Sequence, residues 1–323
     1  MSERPWFSLL RCPACGGEFN EYDRGEGGEG LRCRACARDV PVDAGVPRFV
    51  PRDNYARSFG LQWNAHARTQ LDSYTGVPVS RDRLFSESGW SPDELAGRRV
   101  LECGSGAGRF TEVLAEAGAD LYSLDYSAAV DANRKNNGAR PNVHLLQASL
   151  YELPFADDTF DYLVCLGVVQ HTPDVERAFK GMFRVLKPGG RFCIDVYAAP
   201  LSYLHPRHLL RPLTKRLPAP VLYRGVERAV PFLLPLSTAL HRVPVAGEAL
   251  ARLVPVANWR ANVPLPSERL WREWAVLDTF DWLSPAYEQP QRRRTLERWV
   301  RELGLARAEV TRVRGLYVVR GTK

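Results

Sequence analysis

From residue 99 onward, short apolar runs alternate with stretches of helical spacing. Val100–Leu101, the DLYSLD segment Asp120–Asp125, Asn142–Gln147 and FDYLVCLG at Phe160–Gly167 read as buried strands. Between them, Gly108–Ala117 and Ser127–Asn136 place apolar residues as a helix does. Upstream, Tyr55–Leu71 has the same helical spacing of aromatic and aliphatic residues, with His66 expected on its exposed side. Downstream, the long segment from Ala198 to about Gln289 is rich in Leu, Val, Pro and Arg. Pro206, Pro212, Pro218, Pro220, Pro231, Pro235 and Pro244 interrupt it, which predicts several short helices rather than one long one. Gln291–Leu303 reads as a last helix, followed by apolar runs near Ala308 and at Leu316–Val319.

The first strand ends in Glu102, and Gly104, Gly106 and Gly108 follow on alternate positions, where a strand turns sharply into a helix. Without a Cβ, backbone at such a turn can approach a ligand closely, and the helix start offers N–H groups to an anionic part of it. A nucleotide-like cofactor is the first expectation. The dinucleotide fingerprint G-x-G-x-x-G is not met, because the position three after Gly106 is Arg109.

The pattern that stands instead, acid-x-Gly-x-Gly-x-Gly, resembles motif I of the class I S-adenosylmethionine (SAM)-dependent methyltransferases. The resemblance continues through the strands above, through QASLYELPF at Gln147–Phe155, similar to that family's adenine-binding segment, and through LKPGGRFCIDVY at Leu186–Tyr197, similar to its turn into strand five. It implies an α/β fold: a Rossmann-like seven-stranded sheet with helices on both faces, completed by a final antiparallel strand pair. It also implies a cofactor site formed by Glu102, Gly104, Ser105, Gly106, Gly108, Asp125, Tyr126, Ser149, Leu150 and Leu166. Asp125 is expected to accept the ribose hydroxyls, its competing role being to cap the next helix. Ser149 stands where the family commonly has an acid, which weakens the adenine contact or moves it to the backbone of Leu150.

Cys12, Cys15, Cys33 and Cys36 form C-P-A-C and C-R-A-C pairs with seventeen residues between them, the spacing of a four-thiolate zinc ribbon. The glycine-rich DRGEGGEG is the expected hairpin tip, and disulfides are the competing reading. VPVDAGVPRFVP, Val40–Pro51, completes a resemblance to small zinc-ribbon domains fused to or partnering methyltransferases. A structural staple is favoured over a substrate-side cover or a protein-binding knob, since four thiolates leave zinc no open position. Cys103, Cys165 and Cys193 lie in strands and read as packing residues. The expected organisation is a zinc ribbon over 1–51, a helical lid or linker over 52–95, a SAM-binding core over 96–197, a helical substrate or lid insert over 198–290, and a C-terminal helix with the last two core strands over 291–323.

Methyl transfer from a sulfonium asks the protein mainly to align the acceptor; a base matters when the acceptor must lose a proton. The candidates are His171, as base or as a structural or cofactor contact, and Tyr197, as a substrate contact. Tyr55, Gln62 and Trp63 are expected either as lid contacts, with Trp63 also binding substrate, or as plain packing against the core. Asp278, Asp281 and Tyr287, set among aromatics, either bind a polar or cationic head group or cap helices. The proline-broken insert reads as a lid over an apolar acceptor, a self-association face giving a homodimer, or an amphipathic membrane-surface patch in HPRHLLRPLTKRL.

The 323 residues carry a formal charge of +7, mostly as scattered Arg, which argues against a nucleic-acid footprint. No apolar run approaches a membrane span and the N-terminus lacks the layout of a signal peptide, so a cytoplasmic location is expected. Together these point to a SAM-dependent methyltransferase of a small, partly apolar acceptor, at oxygen, carbon or nitrogen. The alternatives are a ribosomal-RNA or tRNA base methyltransferase and a non-catalytic SAM-binding scaffold that recruits partners through the ribbon. The absence of an Asn/Asp-Pro-Pro-aromatic motif after Phe160–Gly167 argues against a nucleic-acid amine acceptor.

Overall fold

The computed structural model describes residues 4–25, 28–199, 205–305 and 307–323. Part of the hairpin tip (26–27) and the start of the insert (200–204) lie outside the described residues. The first four strands, β1 (Phe19–Gly25), β2 (Gly28–Cys33), β3 (Asp39–Asp43) and β4 (Val46–Pro47), form an antiparallel sheet in that order. Four helices follow: α1 (Arg57–Ala65), α2 (Asp72–Thr75), α3 (Val79–Ser88) and α4 (Pro92–Leu95). The core then alternates β5 (Arg99–Cys103), α5 (Arg109–Glu116), β6 (Asp120–Asp125), α6 (Val130–Asn137), β7 (Val143–Gln147), β8 (Phe160–Cys165), α7 (Val175–Gly181) and β9 (Leu186–Tyr197). The insert holds α8 (Pro206–Thr214), α9 (Ala219–His241), α10 (Gly247–Ala251) and α11 (Glu268–Leu283). The chain closes with α12 (Arg293–Glu302), β10 (Glu309–Val313) and β11 (Leu316–Thr322).

The large sheet has seven strands in the order β10-β11-β9-β8-β5-β6-β7. Strands β5 to β9 pair in parallel, and β11 runs antiparallel to both β9 and β10. This is the expected Rossmann-like mixed sheet with its terminal antiparallel pair. Because helices cover both faces, the central strands are buried on both sides and read as unbroken apolar runs. Leu101 and Cys103 face one apolar layer and Val100 the other. Cys103, Cys165 and Cys193 are fully buried within these strands, as packing residues.

The N-terminal unit shares the first layer: Phe7, Leu10, Leu31, Val40, Val42 and Phe49 belong to the same apolar cluster as Leu146 and Phe155 of the core. It also continues the sheet. Arg48 bridges Gln147 in parallel, and the Phe49 N–H donates to the Gln147 carbonyl at 2.8 Å. An otherwise open edge strand is thereby capped.

Three sequence expectations are corrected. The helix expected over Tyr55–Leu71 is confined to Arg57–Ala65: His66 leaves helical geometry, with φ −113° and ψ 43°, while its N–H still reaches the Gln62 carbonyl. His66, expected on the surface, is buried; its Nε2 lies 2.9 Å from the Tyr223 hydroxyl and its Nδ1 3.2 Å from Thr69 Oγ1. The insert is not cut into short helices only: α9 runs 23 residues through Pro231 and Pro235. Its buried row Leu222, Val226, Val230, Leu234 joins Trp271, Trp274 and Phe280 of α11 in one apolar cluster. That packing outweighs the roughly 3 kcal/mol that an interior proline costs a helix.

Candidate active site

At the C-terminal end of β5 the chain bends with φ of +81° at Gly104, +53° at Gly106 and +93° at Gly108, values that L side chains rarely adopt. Close packing adds a second requirement. A Cβ on Gly104 would lie 2.2 Å from Val168 Cγ2, and one on Gly108 would lie 2.1 Å from Asn133 Oδ1. At Gly106 it would lie 3.1 Å from the Trp63 indole, which α1 sets over the bend. The bend opens into a cavity of about 780 Å³.

Asp125, at the end of β6, is held across from the bend. It accepts the Gly106 N–H at 2.8 Å, and the Ser127 N–H and hydroxyl at 2.8 and 2.7 Å. A carboxylate has roughly four acceptor positions, so this pattern fixes its orientation and leaves room for a ligand hydroxyl. Burial raises its pKa above the ordinary range, against the pull of these bonds. Gly104, Ser105, Gly106, Asp125, Tyr126, Leu150 and Leu166 all line the cavity. The Tyr126 ring stacks on Tyr55 with centroids 4.7 Å apart, and the buried Ser105 hydroxyl has no partner among the described residues.

Three of the expected cofactor residues do not reach this space. Glu102 is buried behind the bend, where one oxygen accepts the Thr111 and Ser123 hydroxyls at 2.5 and 2.7 Å. Burial pushes its carboxyl up to about 7, with the charge of Asp125 adding to the effect. Gly108 instead turns toward Asn133 and Asn137, and Ser149 is used locally, its hydroxyl accepting the Tyr151 N–H at 3.1 Å. The positions are strand-end supports rather than walls of the cavity.

The opposite side is assembled from distant segments. His171 and Tyr197 line the cavity, edge to face with ring centroids 5.4 Å apart. His171 Nδ1 lies 3.0 Å from the Tyr287 carbonyl. A carbonyl only accepts, so Nδ1 carries the hydrogen and the lone pair of the neutral ring sits on Nε2. Tyr287 meets His171 through its backbone, and its ring packs edge to face against Tyr55, outside the cavity lining. Trp63, Asp278 and Asp281 do line the cavity. Asp281 accepts from Gln62 Nε2 at 3.3 Å. Asp278 accepts from Trp274 Nε1 at 3.0 Å and Gln70 Nε2 at 3.2 Å. Burial, reinforced by the neighbouring Asp281, pushes the Asp278 carboxyl up to about 7, and burial raises Asp281 as well.

Sequence reading missed two half-buried ionic groups beside these. Arg83 of α3 pairs with Asp195 of β9 and, at 3.1 Å, with Glu87, and Asp195 also accepts the Gly167 N–H at 2.5 Å. Arg109 donates to Gln70 Oε1 at 2.6 Å and to Ser80 Oγ at 3.1 Å, which links the glycine bend to Asp278 through Gln70. The available signals were an aspartate inside an apolar strand, Asp195 in CIDVY, and an arginine in the glycine motif itself.

In the N-terminal sheet, the sulfurs of Cys12, Cys15, Cys33 and Cys36 all lie within 4.8 Å of one another, with Cys12–Cys36 at 3.6 Å and Cys15–Cys33 at 3.5 Å. A tetrahedral ion bound at about 2.3 Å to four thiolates has S···S edges of about 3.8 Å, so the donor set and its spacing fit zinc.

Comparison with known proteins bears on the core. Residues 101–194 match the family model described as a methyltransferase domain. That span holds the glycine bend, Asp125 and His171. Curated relatives include the ubiquinone/menaquinone biosynthesis C-methyltransferase UbiE of Vibrio campbellii. It is 34% identical over 112 residues, which cover 32% of this chain and 43% of that protein. The demethylmenaquinone methyltransferase of Paenarthrobacter aurescens is 31% identical over 127 residues, covering 39% and 49%. The chain spans less than half the length of these relatives. Among solved structures, a SAM-dependent methyltransferase from Aquifex aeolicus aligns with 84% of this chain and 98% of that one, at 12% identity and a TM-score of 0.42.

Proposed function

We propose that the protein is a SAM-dependent methyltransferase that methylates a small, partly apolar acceptor at oxygen, carbon or nitrogen and releases S-adenosylhomocysteine. The observation that carries this reading is the glycine bend with Asp125 across from it, opening into a single cavity whose far side holds His171, Tyr197 and Asp281. The size of that cavity falls in the range of small-molecule sites. A methyltransferase-domain match over residues 101–194 supports the same reading.

When bound, SAM supplies a methyl group already activated on a sulfonium. Asp125 is positioned to take a ribose hydroxyl, Ser105 and the bend to meet the rest of the donor, and Tyr126, Leu150 and Leu166 to flank its base. Trp63 covers the bend from α1. His171, with its proton fixed on Nδ1, presents Nε2 as a base for an acceptor that must lose a proton. Tyr197 and the aromatic walls orient an apolar acceptor, and Asp281 and Asp278 receive its polar end. Zinc in the four-cysteine site acts as a staple, holding the strand that caps β7. Among the described residues no helix is long and apolar enough to cross a membrane, consistent with action from the cytoplasm.

The test is titration calorimetry with SAM, followed by incubation with SAM and fractionated host extract and a mass search for an acceptor that gains one methylene. Saturable SAM binding and such an acceptor support the proposal. No heat of binding would overturn it.

A further inference from the structure

Among the described residues, eleven of the twelve large apolar side chains left exposed fall between Leu209 and Leu253, on α8 to α10 and their connections. Leu209, Leu213 and Phe232 are 65%, 66% and 78% exposed. On α9, Val221, Arg228, Phe232 and Leu236 recur at the spacing of one helical face, opposite the buried row Leu222, Val226, Val230, Leu234. The same stretch, residues 205–253, carries eight Arg and Lys against two Glu, and so six of the chain's net +7 charge. Lys215, Arg216, Arg224, Arg228, Arg242 and Arg252 are exposed there. An exposed apolar face interleaved with arginines is the composition of a helix that lies in the interface of an anionic bilayer.

We propose that this face docks the protein on an anionic membrane surface and presents its cavity to an acceptor held in the lipid. The part concerning the acceptor rests on the methyltransferase reading above. Continuity with the cavity carries it: α8 gives Arg207 and His208 to the cavity lining and leaves Leu209 and Leu213 on its exposed side. Buried Arg211 anchors the same helix to the cavity wall, pairing with Glu288 at 3.1 Å and donating to the Pro285 carbonyl at 2.8 Å. Charge decides against the other occupant of an apolar face, a second copy. An isologous contact would set this strongly cationic patch against itself, whereas anionic lipid complements it.

Flotation with vesicles of phosphatidylglycerol and phosphatidylcholine tests the docking. The full chain is expected to float with the anionic vesicles, to be released by salt, and to float poorly with phosphatidylcholine alone. Leu213→Glu with Phe232→Glu is expected to reduce partition roughly tenfold or more. Arg224→Ala with Arg228→Ala should lower it and flatten its salt dependence. SAM affinity, measured by calorimetry on the same preparations, is expected to be unchanged in both variants, which also shows that they are folded. Intact SAM binding without partition into anionic vesicles overturns the docking and leaves the methyltransferase reading in place. Partition without SAM binding supports the docking and overturns the methyltransferase reading. A dimer by light scattering that Phe232→Glu dissociates, with no vesicle binding, assigns the face to a second copy and overturns the proposal.

Discussion

The two sides of the cavity are built differently. The side of the glycine bend, the donor side in the function proposed above and facing its acceptor side, is built from successive strand ends between Gly104 and Leu166, and its decisive contacts are backbone geometry and one carboxylate pinned by N–H groups. The acceptor side brings α1, the turn at His171, the end of β9 and α11 together across as many as 219 residues, as in the Gln62–Asp281 hydrogen bond. One side needs only a parallel sheet to exist. The other exists only after three apolar clusters have packed, and it touches the bend through Trp63 and through Gln70, which joins Arg109 to Asp278.

Removing metal should break the donor side most severely. The N-terminal sheet meets that side through Phe49 to Gln147 and through Arg48 to Asp131 at 2.6 Å. Structural zinc contributes on the order of 10 kcal/mol to small metal domains. Chelation, or Cys12→Ala with Cys36→Ala, is therefore expected to lower the melting temperature and abolish SAM binding. An unchanged melting curve in chelator would show that apolar contacts alone hold the unit.

Gly104→Ala combines a left-handed φ with a 2.2 Å approach to Val168, and should cost about 2–4 kcal/mol in denaturant unfolding. A cost near zero would show that the bend relaxes freely. Asp125→Ala should weaken SAM binding by about 1–3 kcal/mol in calorimetry, since ligand hydroxyls would lose a buried acceptor. Equal affinity would mean that the donor site is misplaced.

The smallest effect belongs to the acceptor side. Asp278 has its carboxyl raised from 3.8 to about 7 by burial and by Asp281, so the folded chain binds more protons than the unfolded chain between these values. This group's contribution to stability is fully present below pH 4 and falls as pH rises toward 7. Asp278→Asn should make the decline across pH 4–7 shallower than in the parent protein while leaving SAM affinity intact. A parallel pH profile would place the charge elsewhere, and a loss of SAM affinity would erase the distinction between the two sides.

The glycine bend and the carboxylate across from it were legible because their signals are local: an acid, three alternate glycines and a second acid at the end of the next strand. Glu102, Gly108 and Ser149 fit the same motif, but their contacts, to Thr111 and Ser123, to Asn133 and Asn137, and to Tyr151, lie behind the cavity lining and are set by packing that no local pattern shows. His66 was misjudged because nothing near it in sequence announces Tyr223, and nothing near His171 announces the Tyr287 carbonyl that orients it. Likewise the prolines of α9 are genuine local breakers, overruled by a buried apolar row facing α11.

By itself, the sequence determined the succession of strands and helices in the core, the sharp glycine turn after the first of them and the four-thiolate cluster, because period, glycine content and ligand spacing act over a few residues or through pairs of short motifs. Only the tertiary structure decided which polar groups meet in the cavity, that Arg83 pairs with buried Asp195 and Arg109 reaches Gln70 beside it, and that the insert leaves an apolar, cationic face. Those outcomes depend on which surfaces become buried when distant helices pack, and burial is a property of the whole fold rather than of any window along the chain.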